Sequence, residues 1–349
     1  MSKVVVIGDP MVKSDTLEDA AYQLEIEKPI KVKKYEWKSN NTIEEFQKFI
    51  KDIESYGPEN YKMPKELKND IEDTDYILCH LAPINSELIN SARRLKLIGT
   101  CRGGLEHINV HACQEKNITV INVYRNTESV AEFTIGLMLA ETRNIARSHY
   151  FLKQGKWVKN FPNDKFKTTL KNLKVGLLGL GNIGKAVLKK LNALEVKAIT
   201  YDPYIDINEI KNQGLFTDMV DLETLFSESD IISLHARITE TTKNIVNRNL
   251  LSLMKPSSYL INTSRAELIN KCDLINALKE HKIAGVALDV YWDEPVNPDD
   301  ELLKLENVTL TPHIAGDTVD AIPKSPYLLK DKINEYLKNY KQKNSVSYS

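Results

Sequence analysis

Three polar side chains in the second half of the sequence have the types needed to reduce or form a carbonyl group. Arg265, Glu294 and His313 each follow closely on an apolar run that is typical of a buried strand. An arginine can hold a carboxylate by two parallel hydrogen bonds, and a histidine can supply a proton near neutral pH. A glutamate beside that histidine would favour its protonated form and fix the ring. Each residue alone has an ordinary explanation in a turn, loop or cap, so the prediction rests on the set.

A glycine pattern upstream predicts a phosphate-binding turn. An apolar run at 174–178 precedes Gly179, Gly181 and Gly184, and a helical pattern then continues to about residue 194. The first glycine permits the tight turn, the second lets a pyrophosphate approach the backbone, and the third lets the helix pack closely on the strand. The free N–H groups and the positive dipole at the helix start favour an anion. A dinucleotide is the ligand that this arrangement predicts.

Asp202 indicates which dinucleotide is bound. It ends a second apolar run at 196–201. An acidic residue about 20 positions beyond the glycines binds a ribose 2′-hydroxyl, and its charge repels a 2′-phosphate. We therefore expect NAD rather than NADP. The alternative, a glycine-rich turn with a capping aspartate, is disfavoured because strand, turn, helix, strand and acid occur in the required order.

The composition is that of a globular protein with no nucleic-acid or membrane partner. The chain has 349 residues, enough for two domains, of which 42% are hydrophobic and 27% charged. A net charge of −1 and a pI near 6.7 give no overall attraction to nucleic acid or acidic membranes. No apolar run approaches the length of a membrane span, and the amino terminus enters a strand directly, so we expect no signal segment.

The cysteines predict a reducing compartment and no metal site. Cys79, Cys101, Cys113 and Cys272 are scattered, and no two of them form a Cys-x-x-Cys pair. Reduced and mostly buried thiols are typical of cytoplasmic proteins. Metal ligation would require closer clustering of cysteine and histidine.

The order of elements predicts two parallel α/β units in tandem. In the first third, strands are expected at 4–7, 30–37, 76–80, 96–100 and 119–122, with longer helices at 13–28 and 42–56. One long apolar helix is expected at 127–148, followed by a connecting segment at 151–172 without a clear period. From residue 174 strands and helices alternate again, with later strands at 230–235, 258–262, 283–288 and 307–310, helices near 221–227, 247–254 and 271–281, and a last helix at 327–341. Two doubly wound parallel-sheet domains place a cleft between them, beyond the carboxyl ends of the strands.

Five short motifs, in order over nearly the whole chain, carry a family resemblance. They are Gly179-Leu-Gly-Asn-Ile-Gly184, Asn262-Thr-Ser-Arg265, Leu288-Asp-Val290, Glu294-Pro295 and Thr311-Pro-His313. The sequence resembles the NAD-dependent D-2-hydroxyacid dehydrogenases. The resemblance implies a flavodoxin-like substrate domain at 1–125 plus 318–349 and a Rossmann NAD-binding domain at 126–317. It also implies a homodimer built largely on the 127–148 helix, and a small 2-keto or 2-hydroxy acid as substrate.

The resemblance assigns roles to individual residues. His313 is the acid/base, Glu294 pairs with it, and Arg265 binds the carboxylate and carbonyl of the substrate. The implied cofactor-binding residues are Gly179, Gly181, Asn182, Ile183, Gly184, Asp202, Ala236, Arg237, Thr242, Thr263, Ser264 and Asp289. Asn182 and Ile183 would offer backbone N–H groups to the pyrophosphate, and Asp289 would hold the nicotinamide carboxamide. The implied substrate-binding loop is Arg102, Gly103, Gly104 and Leu105, whose glycines and leucine would offer backbone N–H groups.

Several positions depart from the pattern of the family. Arg102 stands in the substrate loop where a small residue is more common, and it would either contact a second anionic or hydroxylated part of the substrate or point to solvent. Tyr124 and Arg125 stand where the family usually has Pro-Gly, and Arg237 replaces a frequent proline. Glu267 and Asn270 replace a frequent glycine and aspartate. These departures leave the identity of the 2-hydroxy acid open.

Three other functions are compatible with parts of this pattern. One is a non-catalytic, NAD-sensing co-regulator on the same fold, which the intact Arg265, Glu294 and His313 argue against. Another is a formate or phosphite dehydrogenase, which the Glu–His pair disfavours because formate oxidation needs no proton relay from the histidine. The third is a 3-phosphoglycerate dehydrogenase without a regulatory domain.

Overall fold

The computed structural model describes residues 1–62 and 65–345 and divides the chain into two compact units. Unit 1 comprises Met1–Asn126 with Thr318–Ser349, and unit 2 comprises Thr127–Asp317. Each unit is a parallel α/β structure, as the alternation of strand and helix patterns predicts.

Unit 1 contains a five-stranded parallel sheet in the order β2-β1-β3-β4-β5, which is the flavodoxin-like order. Its strands are β1 (Ser2–Gly8), β2 (Ile30–Glu36), β3 (Tyr76–Cys79), β4 (Leu97–Thr100) and β5 (Thr119–Asn122). Its helices are α1 (Ser14–Tyr22), α2 (Ile43–Tyr56), α3 (Lys65–Ile71), α4 (Ser86–Ser91), α5 (Val110–Glu115) and α13 (Ser325–Ser345). The central strands are continuous apolar runs because helices cover both faces of the sheet.

The carboxyl-terminal helix completes the core of unit 1. Leu329 and Ile333 of α13 are fully buried in one cluster with residues of β1, β3 and α1. A Cβ placed on Gly99 of β4 would lie 2.9 Å from Ile333 Cδ1, so this close approach of helix to sheet requires glycine. The last helix therefore belongs structurally with the first third of the chain.

Unit 2 contains a seven-stranded parallel sheet in the order β12-β11-β10-β9-β6-β7-β8. Its strands are β6 (Val175–Leu178), β7 (Ala198–Tyr201), β8 (Asp218–Met219), β9 (Ile231–Leu234), β10 (Tyr259–Asn262), β11 (Gly285–Leu288) and β12 (Val308–Leu310). Its helices are α6 (Thr127–Thr142), α7 (Ile145–Lys153), α8 (Asn182–Ala193), α9 (Ile207–Asn212), α10 (Leu222–Glu228), α11 (Arg248–Leu253) and α12 (Lys271–Lys279). The order reverses at β6, and this switch point is where the Rossmann fold binds dinucleotides.

The single helix predicted at 127–148 is wrong, because the structure divides it. Helix α6 ends at Thr142, Asn144 adopts a left-handed conformation with φ 57°, and α7 begins at Ile145. Asparagine tolerates this conformation better than most residues. Arg147 fixes the break, because its side chain donates to Asn144 Oδ1 at 2.9 Å and to the buried carboxylate of Glu141 at 2.6 Å. A hydrophobic pattern cannot reveal such a polar break.

Most other elements lie within three residues of their predicted bounds. Helix α1 is shorter than the predicted 13–28 and ends at Tyr22. The segment predicted to lack regular structure contains the end of α7 and two short 3₁₀ helices, Asp164–Phe166 and Leu170–Asn172. Short elements α9 and β8 were not predicted. Among the described residues, the helices lack the combination of length and apolarity that crossing a bilayer requires.

Candidate active site

The glycine turn of unit 2 has the geometry of a phosphate-binding turn. Gly179 follows β6 with φ 96°, and a Cβ there would lie 2.8 Å from the backbone nitrogen of Ala236. A Cβ on Gly184 would lie 2.3 Å from the carbonyl oxygen of Gly179. A Cβ on Gly181 would meet nothing within 4 Å, so the backbone there is open to a ligand. Gly181 also caps α8 without a side-chain hydrogen bond, so a phosphate can accept from the first N–H groups of the helix at Asn182 and Ile183.

Asp202 lies beside this turn, directly after β7. Its Oδ2 accepts a hydrogen bond from Leu180 N at 2.7 Å, and its Oδ1 accepts one from Tyr204 N at 2.9 Å. These bonds fix the carboxylate, and each oxygen retains a lone pair for a ribose hydroxyl. The residues therefore fit a dinucleotide.

His313 and Glu294 form a direct pair at the same edge of the sheet. His313 Nδ1 lies 2.9 and 2.8 Å from the two carboxylate oxygens of Glu294. Glu294 also accepts from Tyr291 N at 3.0 Å. Burial opposes the ionisation of Glu294, but the hydrogen bonds from His313 and Tyr291 outweigh it and hold the Glu294 pKa below its usual range. An ionised carboxylate requires a proton on Nδ1, so Nε2 is the ring atom that faces away from the pair.

A buried carboxylate that sequence reasoning assigned only to the cofactor holds the histidine turn. Asp289 is 0% exposed, and it accepts from Thr311 Oγ1 at 2.6 Å, from Ile314 N at 3.0 Å and from Ala315 N at 2.8 Å. These bonds enclose His313, whose φ of 57° is left-handed. Asp289 therefore fixes the backbone turn that carries His313. Its motif was recognised in the sequence, but these contacts across 22 to 26 residues were not.

Tyr291 supports the same turn and was missed by sequence reasoning. Its hydroxyl donates to the carbonyl oxygen of Thr311 at 2.9 Å. Burial raises the pKa of Tyr291 to about 12, so the hydroxyl remains a donor at neutral pH. A lone tyrosine between two motifs gives no sequence signal for this role.

Arg265 follows β10 and its side chain is exposed. Its Nη1 donates to the carbonyl oxygen of Ser264 at 2.8 Å, and among the described residues no carboxylate lies within ion-pair distance of it. Arg265 is near enough to Glu294 to favour ionisation of that carboxyl. Strands β10, β11 and β12 are neighbours, so Arg265, Glu294 and His313 lie at one carboxyl edge.

The other predicted cofactor residues lie in two loops at this edge. Ser264 Oγ donates to the carbonyl oxygen of Ala236 at 2.8 Å, which ties the loop after β10 to the loop after β9. Thr242 Oγ1 donates to the carbonyl oxygen of Arg237. Thr263 is 8% exposed and its hydroxyl bonds Thr134 of α6 at 2.8 Å. These hydrogen bonds join the loop after β10 to the loop after β9 and to helix α6.

The predicted substrate loop belongs to unit 1 and follows β4. In the described part of the chain, none of the backbone N–H groups from Arg102 to Leu105 donates a hydrogen bond. A Cβ on Gly103 would lie 2.8 Å from the Tyr124 ring, so a larger residue there would force that ring to shift. The guanidinium of Arg102 forms an ion pair with Glu54, and its side chain is 15% exposed. Arg102 therefore does not point freely into solvent.

No metal-binding cluster of three or more His, Cys, Asp or Glu side chains occurs within residues 1–62 and 65–345. All of the cysteines are free, and Cys272 is the exposed one.

Comparison with known proteins agrees with the geometry. Residues 135–315 match the family model of the NAD-binding domain of D-isomer specific 2-hydroxyacid dehydrogenases. The chain is 40% identical to a glyoxylate reductase of Thermofilum pendens, over 74% of this chain and 76% of that protein. It is 34% identical to a D-3-phosphoglycerate dehydrogenase of Archaeoglobus fulgidus over 76% of this chain, and spans about half (49%) of that relative.

A solved structure shares the fold. The NAD-complexed D-isomer specific 2-hydroxyacid dehydrogenase of Lactobacillus delbrueckii ssp. bulgaricus superposes with a TM-score of 0.69 at 24% identity, covering 97% of this chain and 98% of that one. The matched family domain binds NAD and spans the glycine turn, Asp202, Arg265, Glu294 and His313. NAD is therefore the cofactor, and the protein is an NAD-dependent oxidoreductase. The chain belongs to the D-isomer-specific 2-hydroxyacid dehydrogenase family.

Proposed function

We propose that the protein interconverts a small 2-keto acid and the corresponding D-2-hydroxy acid, with His313 as acid and base. The observation that carries the proposal is the bond from His313 Nδ1 to Glu294, at 2.8 Å, on the sheet edge that also bears Arg265. When bound, the nicotinamide supplies or accepts the hydride. The chain must supply the proton and hold the substrate.

His313 moves the proton at Nε2. In keto-acid reduction the imidazolium donates this proton to the carbonyl oxygen, and in hydroxy-acid oxidation the neutral ring accepts it. Glu294 stabilises the charged ring and keeps Nδ1 protonated. Arg265 binds the substrate carboxylate by a two-pronged contact and polarises the carbonyl.

The cofactor is held by the turn and loops of unit 2. We propose that Gly181, Asn182 and Ile183 bind the pyrophosphate through their backbone and that Asp202 binds the adenosine ribose. The remaining cofactor contacts are proposed for Gly179, Gly184, Ala236, Arg237, Thr242, Thr263 and Ser264. Asp289 is proposed to hold the nicotinamide carboxamide in addition to the His313 turn, because each carboxylate oxygen can accept more than one hydrogen bond.

In unit 1, the substrate carboxylate is proposed to accept from the backbone N–H groups at Gly103, Gly104 and Leu105. Within residues 1–62 and 65–345 these groups have no intramolecular acceptor, which supports the assignment. For the Arg102 side chain to bind a substrate anion, that anion must displace Glu54.

The proposed assembly is a homodimer in the cytoplasm. Free thiols agree with a reducing compartment. Helix α6 is largely buried in its own unit, whereas α7 and the segment after it expose Ile145, Tyr150, Leu152 and Trp157, at 56, 60, 57 and 77%. A second copy would cover this apolar surface. Light scattering after gel filtration tests whether the protein is a dimer, and a monomeric mass would reject the proposed dimer.

A screen of 2-keto acids that differ in length and charge, with NADH absorbance as the readout, tests the proposed activity. We expect at least one keto acid to be reduced with NADH and chiral chromatography to identify the D-hydroxy acid. Tight NADH binding without turnover of any keto acid would favour an NAD-sensing co-regulator instead.

A further inference from the structure

Unit 1 contains a buried Asp–His pair at the carboxyl edge of its sheet. Asp9 follows β1 and His80 follows β3, and both side chains are 0% exposed. Their contact, from His80 Nδ1 to Asp9 Oδ2, is 2.8 Å long. The carboxylate also accepts backbone N–H groups from Met11 at 2.9 Å, Val12 at 3.0 Å and Leu81 at 3.1 Å. Asp9 is thus held rigidly and in turn fixes the imidazole.

The next contact determines the tautomer of this imidazole. Arg125 Nη1 lies 3.2 Å from His80 Nε2. A guanidinium can only donate, so Nε2 must carry the lone pair and Nδ1 the proton that Asp9 accepts. Burial lowers the pKa of His80 and outweighs the attraction of Asp9, which agrees with a neutral ring. The hydrogen bonds therefore run from Arg125 to His80 to Asp9.

Arg125 is anchored through one nitrogen and forms no direct ion pair with any described carboxylate. Its Nη1 also donates to the carbonyl oxygen of Cys101 at 3.3 Å. Among the described residues, its Nε and Nη2 donate no hydrogen bond, and no carboxylate lies within 4.0 Å of the guanidinium. By contrast, Arg102 is paired with Glu54. In the described part of the chain, the half-buried Arg125 is therefore a fixed cation that reaches the Asp9 carboxylate only across the His80 ring, and its Nε and Nη2 remain as donors.

Further hydrogen-bond donors lie in the loop that is joined to the segment carrying Arg125. Cys101, whose carbonyl anchors Arg125, directly precedes the loop in which the N–H groups of Arg102 to Leu105 find no acceptor among the described residues. Val123 N donates to the carbonyl oxygen of Arg102 at 3.3 Å, which joins this loop to the segment carrying Arg125. Backbone N–H groups without a described acceptor and a guanidinium with two uncommitted nitrogens, joined in one segment, favour a ligand with more than one anionic group.

We propose that Arg125 is a specificity-determining residue that binds a second anionic group of the substrate, a carboxylate or a phosphate ester distant from the keto carbon. His80 and Asp9 are its positioning residues. The proposal rests on the proposed function, since the loop N–H groups take the carboxylate beside the keto carbon and Arg125 takes the other anion. A planar guanidinium fork binds either anion by two parallel hydrogen bonds.

The experiment compares kcat/KM for two matched pairs of keto acids. One pair is 2-ketobutyrate and 2-ketoglutarate, and the other is hydroxypyruvate and its 3-phosphate ester. The wild-type enzyme should prefer, in at least one pair, the member that carries two anionic groups, here named the dianionic acid whatever the charge of each group. The pair that shows the preference distinguishes a carboxylate from a phosphate as the natural anion.

Arg125→Met should then lower kcat/KM for the preferred dianionic acid by roughly 10–150-fold, mainly through KM, because a charged hydrogen bond contributes about 1.5–3 kcal/mol. Its monoanionic counterpart, which lacks the second anionic group, should change little. Arg125→Lys should restore part of the loss. The matched control is Arg93→Met, which removes an exposed arginine of the same unit and should leave both pairs unchanged.

The positioning residues are tested at His80. A glutamine at this position can donate to Asp9 and accept from Arg125, whereas a phenylalanine can do neither. We therefore expect His80→Phe to raise KM for the dianionic acid and His80→Gln to keep the wild-type KM. An equal loss for all four acids in Arg125→Met, with circular dichroism and NADH affinity unchanged, would show that Arg125 only supports the loop and would overturn the proposal. No change for any acid would overturn it too. If the wild-type enzyme reduces none of the acids, the proposed function fails, which is a different result.

Discussion

His313 Nδ1 lies 2.8 Å from Oε2 of Glu294, although 19 residues separate the two in sequence. The contact assigns the nitrogens different tasks. Nδ1 is committed to the carboxylate, and Nε2 is available to a substrate oxygen. Asp289 and Tyr291 fix the backbone of the surrounding turn through Thr311, Ile314 and Ala315.

Removal of the proposed acid should abolish most of the activity. His313→Ala should lower keto-acid reduction by roughly 10²–10⁴-fold, the contribution of general acid catalysis, and leave NADH affinity nearly intact. Stopped-flow reduction and NADH fluorescence titration measure the two effects. His111→Ala, at an exposed histidine of unit 1, serves as the control. Near-normal turnover in His313→Ala would mean that another group supplies the proton.

Loss of the carboxylate should shift the pH profile in one direction. Reduction requires the imidazolium, so the rate falls as pH rises and the ring loses its proton. In Glu294→Gln the imidazolium loses its counter-charge, and the alkaline fall should move to lower pH. Rates of reduction between pH 5 and 9 would reveal this. An unmoved profile would contradict the pairing.

The choice between nucleotides should depend on Asp202. The wild-type enzyme should strongly prefer NADH to NADPH. Asp202→Asn should reduce this preference by roughly 10–150-fold, because it removes one charged hydrogen bond to the ribose and the repulsion between the carboxylate and a 2′-phosphate. Kinetics with both nucleotides measure the change. Asp206→Asn, which alters an exposed helix cap nearby, should keep the preference. Equal efficiency of the wild type with both nucleotides would reject the role of Asp202.

A half-buried histidine in unit 2, whose Nδ1 atom is buried, should make the stability of the unit fall in acid. His235 Nε2 bonds Ser233 Oγ at 2.9 Å, Nδ1 is buried without a partner among the described residues, and burial lowers the pKa of His235 to about 4. In the unfolded chain the His235 ring binds a proton below about pH 6.5, whereas in the folded unit it binds one only near pH 4. The free energy of unfolding therefore decreases as the pH falls from about 6.5 to about 4.

The expected loss between pH 7 and pH 5 is roughly 2 kcal/mol, from about 1.4 kcal/mol per pKa unit. Urea unfolding at the two pH values, in His235→Gln and in the control His111→Gln, isolates this contribution. The difference in the free energy of unfolding between pH 7 and pH 5 should become smaller in His235→Gln and stay unchanged in His111→Gln. An unchanged difference would show that His235 is protonated in the folded unit.

Local patterns predicted the parts of the site that each lie within one motif. The glycine turn falls between β6 and α8, and Asp202 follows β7, as the strand, turn and helix signals indicate. The pairing of His313 with Glu294 was also predicted, because both follow neighbouring strands of one parallel sheet.

Polar contacts outside the recognised motifs were not predictable. Asp9 and His80 are 71 residues apart, and neither belongs to a recognised motif, so no spacing indicates their buried contact. The break between α6 and α7 depends on Arg147 and a buried Glu141, which a hydrophobic pattern does not resolve. The first contact is long-range, whereas the second joins residues six positions apart and overrides the helical pattern between them.

Transfer of deuterium from NADH labelled at the reactive position of the nicotinamide tests the central claim most directly. The wild-type enzyme should place the label at C2 of the hydroxy acid, and chiral chromatography with mass spectrometry should find it in the D-isomer alone. His313→Ala should yield the same labelled product at a rate lower by roughly 10²–10⁴-fold. Consumption of NADH with no label at C2, or with the label in the L-isomer, would contradict the account.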